Sequence, residues 1–95
     1  MKKIDLSIVI PSYDEEDSLP ILIKSINEKL KNKDIIFEII IIDDGSSDKT
    51  WNKIEILTKK FSNIFSIKFT KNYGKSDALD AGFKSSRGNY ILTMD

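Results

Sequence analysis

Three features of the sequence predict an α/β chain built on one open parallel sheet. Short β-branched runs alternate with stretches of helical spacing; the strand runs are apolar on both faces; and every helical stretch lies between two strands, making each connection a crossover. The expected order is β-α-β-α-β-α-β. Strands joined this way run parallel, with right-handed connections and helices laid over the sheet.

The first strand is Leu6 to Ile10, near-continuously apolar and stopped by Pro11. The polar stretch Ser12-Tyr13-Asp14-Glu15-Glu16-Asp17 leads into Leu19, Leu22, Ile23, Ile26 and Leu30, which line one helical face. Ser18 or Asp17 is the expected N-cap, and Pro20 is tolerated in the first turn. Phe37 to Ile42 is the second strand and Asp43 to Asp48 a turn; Trp51, Ile54, Leu57 and Phe61 then mark the second helix. Ser47 and Asp48 suit the start of that helix, where a short side-chain oxygen satisfies unpaired amides. Ile64 to Phe69 is the third strand, Thr70 to Lys75 a loop around Gly74, and Ala78, Leu79, Gly82 and Phe83 the third helix. Arg87-Gly88-Asn89 stops this helix, with Arg87 expected to complement its dipole, and Tyr90 to Met94 forms the fourth strand.

The 95 residues suffice for one core, and 40% hydrophobic with 32% charged residues describes a folding chain rather than a disordered one. Fifteen basic residues cancel fifteen acidic ones, which excludes the global positive field of a nucleic-acid binder, so any anion site must be local. With neither cysteine nor histidine, chemistry rests on carboxylates, hydroxyls, lysines and backbone amides. No apolar run approaches the roughly 18 residues of a membrane span, and Met1-Lys2-Lys3 precedes a strand-length run containing Asp5, not a signal-peptide core; a cytoplasmic location is expected. Asp95 directly follows the fourth strand, so residues 1–95 read as a single subdomain, the front half of something longer.

In open parallel sheets ligands bind beyond the carboxyl ends of the strands, near the point where strand order reverses. Pro11 to Glu15, Asp43 to Asp48 and Asp95 all follow strand ends and share that rim. Of Asp43 and Asp44, one carboxylate can accept from a nucleobase or ribose while the other anchors the loop; the same residues also read as an acidic turn with a helix cap. Gly45 lets the backbone come close to a ligand or take a positive φ. Tyr13 can stack on a base and Glu15 accept from a hydroxyl, or Tyr13 covers the sheet edge while the acids favour the helix start. The segment Lys71 to Ser76 reads as a mobile loop bringing Lys71 or Lys75 to a diphosphate, or as a solvated connector; it lacks P-loop spacing. Asp95 is placed to bind a hard cation, although one carboxylate is a poor metal site.

Taken together, Ile8 to Glu16, Asp43 to Thr50, Asn72-Tyr73-Gly74-Lys75 with Ala78-Leu79 and Ala81-Gly82, and Arg87 to Tyr90 leading to Thr93-Met94-Asp95 resemble the amino-terminal half of a family 2 glycosyltransferase. The Asn-x-Gly-Lys block resembles the dolichol-phosphate mannosyltransferase-like branch, whose members glycosylate polyprenyl phosphates. The resemblance implies the Rossmann-like first half of a GT-A fold, binding a UDP- or GDP-sugar, with the acceptor, a lipid phosphate or saccharide, held by a second half. It assigns Pro11, Tyr13 and Glu15 to the first nucleotide-binding block, Asp44 with Asp43 to the base contact, and Lys75 to a flexible loop near the nucleotide. Asp95 matches the first carboxylate of the D-x-D motif for Mg²⁺ or Mn²⁺; the second carboxylate, the acceptor half and any membrane segments lie outside these residues, so no catalytic residue is expected here. A full-length parent is expected at the cytoplasmic face of the membrane.

A different class of reading is a non-catalytic interaction module. The fourth strand would expose Ile91, Leu92 and an unpaired backbone edge, predicting a homo-oligomer. A nucleotidyltransferase fits less well, since it wants a Gly-rich, basic loop after the first strand where Pro11 to Asp17 is acidic.

Overall fold

The structure is a computed structural model and describes residues 3–94. Its elements follow the expected order: β1 (Leu6–Ser12), α1 (Ser18–Leu30), β2 (Phe37–Asp43), α2 (Thr50–Lys60), β3 (Ile64–Lys68), α3 (Lys75–Ser85) and β4 (Tyr90–Thr93). All strand pairs are parallel, in the order β3-β2-β1-β4. The chain steps from β1 to β2 to β3 and then returns past β1 to lay down β4, so the order reverses between β1 and β4.

β1 runs on through Pro11, which sequence reading treats as its stop. Residues of a parallel strand bond alternately to left and right, and Val9 bonds towards β4, accepting from the Met94 amide at 3.0 Å. The N–H that Pro11 lacks therefore falls on the β4 side, past Thr93, the last residue paired with β1, and no ladder bond is lost.

The two sheet faces are covered unequally. Ile8, Ile10, Ile39 and Ile41 pack beneath α1 and α2, against Leu19, Ile23, Ile54 and Leu57. The opposite face carries Val9, Ile40 and Ile42 under α3 alone, with Ala78 at the contact. Here α3 sits so low that a Cβ on Gly82 would lie 2.3 Å from Val9 Cγ1, so only glycine fits. Every residue of β4 is exposed, Tyr90 to 75%.

The helix ends depart from expectation. Asp17 occupies the N-cap position of α1 with helical backbone angles and no capping bond; Ser18 Oγ instead donates to Glu15 Oε2 at 3.3 Å, and the Leu19 amide to the Glu15 carbonyl at 3.0 Å. The chain already turns helically at Glu15, which removes the need for a side-chain cap. At α2, Lys49 holds the N-cap position, and Asp48 serves from one residue earlier by accepting the Thr50 amide at 2.9 Å. Ser47 takes no part in that start.

Arg87, the chain's single arginine, does not complement the α3 dipole. Its Nε and Nη2 donate to Glu38 Oε1 at 3.0 and 2.9 Å, and its amide donates to Oε2 at 2.8 Å. Ser7 Oγ adds a 2.6 Å bond to Oε2, and the guanidinium lies 5.0 Å from the Phe65 ring centroid. Glu38 is 1% exposed, so its charge needs these partners far more than a solvated helix end needs a cation.

Burial, the largest single influence on Glu38, pushes its carboxyl up; the Ser7 hydroxyl and the Arg87 amide and guanidinium outweigh it and hold the group below the ordinary glutamate range. A folded-state pKa depressed in this way contributes stability that is present above the unfolded value and lost as pH falls through the folded one. Arg87→Ala is expected to lower stability at neutral pH by about 1–3 kcal/mol and to move acid unfolding to higher pH. Denaturation followed by circular dichroism across the acid range measures both; an acid limb identical to wild type would contradict the assignment.

Candidate functional site

The site begins with register. Ser12 pairs with Asp43 and Asp43 with Lys68, so the loops leaving β1, β2 and β3 emerge side by side. The Asp44 amide donates to the Ser12 carbonyl at 2.8 Å, and the Phe69 amide to the Asp43 carbonyl at 2.9 Å, extending the ladder to the rim.

Asp14 joins the first two loops. It adopts φ 50°, a left-handed conformation that aspartate tolerates better than most residues. Its Oδ1 accepts the amides of Ser47 at 2.7 Å and Asp48 at 3.2 Å, and its own amide donates to Ser46 Oγ at 2.9 Å. The Glu15 amide donates to buried Thr50 Oγ1 at 2.8 Å, adding a second link between the same segments. Sequence reading gave Asp14 no role. The available signal was a short acidic residue at a turn just past a strand end.

The two acids after β2 both hold loops. Asp43, 1% exposed, accepts the Ser46 amide at 3.1 Å and the Ser46 hydroxyl on Oδ1. Asp44 holds the loop before α3: Oδ1 accepts the Tyr73 amide at 2.8 Å, and Oδ2 accepts the Gly74 amide at 3.1 Å and Asn72 Nδ2 at 3.2 Å. The loop expected to be mobile is thus tied through three consecutive residues. Lys71 Nζ lies 5.1 Å from the Tyr73 ring centroid, and Lys75, expected in the loop, is the first residue of α3.

Gly45 has φ 71°, and a Cβ there would lie 2.2 Å from the carbonyl carbon of Lys71. The positive φ expected of this glycine is present, and its close approach is to the Lys71–Asn72 backbone, where the expectation was a ligand.

Pro11, Ser12, Tyr13, Glu15, Asp44 and Lys75 line one cavity of about 200 Å³ at this rim. Five of the six expected substrate-binding residues therefore meet, drawn from three separate crossovers; Asp43 is the exception, turned inward to its loop. Ser12 was not anticipated. It is 2% exposed and its Oγ has no hydrogen-bond partner among the described residues. Tyr13 presents a half-exposed ring.

Asp95, expected to bind a cation, lies outside the described residues. Among the described residues no group of three or more carboxylates is placed to hold a metal ion. Residues 3–94 alone therefore do not assemble a complete cation site, and no chemical step is derived through one.

An open parallel sheet with a cavity over its carboxyl rim is compatible with the fold of the GT-A glycosyltransferases, and the solved structures it matches are of that class. Staphylococcus aureus TarS 1-349 in complex with UDP matches with a TM-score of 0.82 at 24% identity, over 97% of this chain and 27% of that one. Mannosyltransferase PcManGT from Pyrobaculum calidifontis, in complex with GDP-Man and Mn²⁺, matches with a TM-score of 0.71 at 18% identity, over 95% of this chain and 26% of that one. At such identities the likeness is one of fold. The chain belongs to glycosyl transferase family 2, whose model matches residues 7–95. It is 43% identical over 94 residues to the undecaprenyl-phosphate 4-deoxy-4-formamido-L-arabinose transferase of Yersinia enterocolitica and 38% identical over 91 residues to that of Photorhabdus laumondii. Each alignment covers 95% of this chain but 28% of the relative's length.

Gly45→Ala tests how strictly the loops are fitted together. The left-handed penalty of about 1–2 kcal/mol adds to the backbone clash, and the melting temperature should fall by on the order of 10 °C. Calorimetric melting measures it; a variant as stable as wild type would show that the loops can separate without cost.

Proposed function

We propose that the chain is the nucleotide-sugar-binding half of an inverting glycosyltransferase that moves a sugar from a UDP- or GDP-sugar to a polyprenyl phosphate. The observation that carries this reading is the meeting of Pro11, Tyr13, Glu15, Asp44 and Lys75 around one cavity at the rim. In this reading Tyr13 stacks on the base, Asp44 accepts from base or ribose, Glu15 accepts from a hydroxyl, and Lys75 offers positive charge to the diphosphate. Asp43 supports the turn that presents Asp44. Asp95, just past β4, is assigned one ligand position for Mg²⁺ or Mn²⁺, its companions lying elsewhere in a full-length enzyme.

The reaction proposed for that enzyme is a direct displacement. An acceptor phosphate oxygen bonds to the anomeric carbon, the carbon–oxygen bond to the diphosphate breaks, and the nucleoside diphosphate leaves with the electron pair. A lipid phosphate, with its second pKa near 6, is already largely ionised at neutral pH and needs little general-base help. This suits a site made without histidine. Such an enzyme would work at the cytoplasmic face of a membrane, although no helix among the described residues is long and apolar enough to cross one.

Calorimetric titration with UDP and GDP, with and without Mn²⁺, tests the reading. Asp44→Ala should weaken binding by about 10- to 100-fold, the worth of one charged hydrogen bond. Tyr13→Ala, at a half-exposed position where folding is little affected, should weaken it too, and Asp95→Ala should remove any Mn²⁺ effect. Silence at millimolar nucleotide would overturn the proposal.

The open β4 edge favours a second property, self-association, with or without nucleotide binding. Tyr90, Ile91 and Leu92 are exposed to 75, 46 and 44%, and no charge or proline interrupts Tyr90–Thr93. Light scattering after size exclusion is expected to show a dimer or larger species; a clean monomer at high concentration would refute it.

A further inference from the structure

We propose that the furrow between α1 and α2 is a docking surface for an anionic lipid bilayer. It is a depression of about 690 Å³ with Leu57, Phe37 and Phe61 at its base and Lys24, Lys31 and Lys60 on its walls. Helical spacing extends these walls into two facing stripes. Ile21, Lys24 and Lys31 lie three and seven residues apart on α1 and the turn after it; Lys53, Ile56 and Lys60 lie three and four apart on α2. Ile21 is 71% exposed and Ile56 61%. Single exposed isoleucines need no explanation, but these two stand on opposite crests of one furrow, each beside lysines. Among the described residues none of these four lysines forms a salt bridge, and Glu28 is the one acid lining the furrow. Asn27 Nδ2, also in the lining, makes no hydrogen bond to a described residue.

The charge of the whole molecule is sorted in the same sense. Residues 13–17 and 43–48, the first two rim loops, hold seven acids and no base, and the third, 69–74, holds Lys71 alone, whereas residues 18–36 and 49–61, the α1 and α2 segments, hold eight lysines and three acids. A molecule of zero net charge is therefore electrically polar, and a negative surface orients it with this layer inward. The crests decide between a membrane and an acidic peptide. A peptide seated in the furrow would leave Ile21 and Ile56 in water, whereas a bilayer interface is broad enough to take up both while its phosphates meet the lysines. The inference shares no residue with the rim cavity and stands apart from the nucleotide reading.

Flotation of the 95-residue chain with vesicles tests it, comparing pure phosphatidylcholine with phosphatidylcholine containing phosphatidylglycerol, at low salt. The chain is expected to float only with the anionic vesicles and to release as salt rises. At about 1 kcal/mol per lysine near the surface, Lys24→Gln/Lys31→Gln/Lys60→Gln should lower partition by on the order of 100-fold. Ile21→Ser/Ile56→Ser should lower it while keeping the salt dependence, and Lys84→Gln on α3 should leave it unchanged. All substituted side chains are exposed, so unaltered melting curves are expected alongside. Equal partition to both vesicle types, no partition, or insensitivity to the triple substitution would overturn the proposal. So would retention on immobilised poly-glutamate, abolished by the same substitutions, in a chain that ignores vesicles, since that would assign the furrow to an acidic polypeptide.

Discussion

The rim depends on carboxylates accepting hydrogen bonds from backbone amides that the end of the sheet leaves unpaired. Where three strands stop together, their loops carry N–H groups that neither ladder nor helix satisfies, and burying such groups without partners costs about 1–3 kcal/mol each. Asp14 takes the amides of Ser47 and Asp48, Asp43 that of Ser46, Asp48 those of Glu16 and Thr50, and Asp44 those of Tyr73 and Gly74. The acidity of the rim, which on composition alone looks like a solvated turn, is largely a bonding requirement of the loops.

A second carboxylate device sits below the middle of the sheet and solves a different problem. α3 must reach β4 across a face with one helix on it, and Glu38 gathers Ser7, the Arg87 backbone and the Arg87 guanidinium at that crossing. The Gly88 amide closes the arrangement on Ser7 Oγ at 2.8 Å. β4, exposed along its length, is thus held by its ladder with β1 and by this polar joint more than by apolar packing. The rim cavity and the joint share β1, which carries Ser12 at one end and Ser7 at the other.

Much of this was legible in the residues. Apolar runs of strand length alternating with helical spacing convey the element order, and Gly45 between short polar residues marks a place where backbones meet. The convergence of Tyr13, Glu15 and Asp44 follows from their positions just after strands that must run parallel, whereas Lys75 joins them from the start of α3, well past the end of β3. What the sequence could not convey is which partner each polar group chooses. Asp43 and Asp44 are adjacent and chemically identical, yet one faces its own turn and the other a loop about thirty residues on, a distinction set by the pleat of β2 and the path of the third loop. Arg87 at a helix end reads as a dipole complement because its real partner, Glu38, is 49 residues away and is brought near only by the sheet. Asp14 looked unremarkable because its role requires knowing that the first two loops touch.

Asp44 lines the cavity while its carboxylate already serves three donors of the 72–74 loop. An ionised carboxylate offers about four acceptor positions, so a donor entering the cavity would share this group with the loop it already holds. One side chain thereby joins the wall of the cavity to the backbone that leads into the third helix.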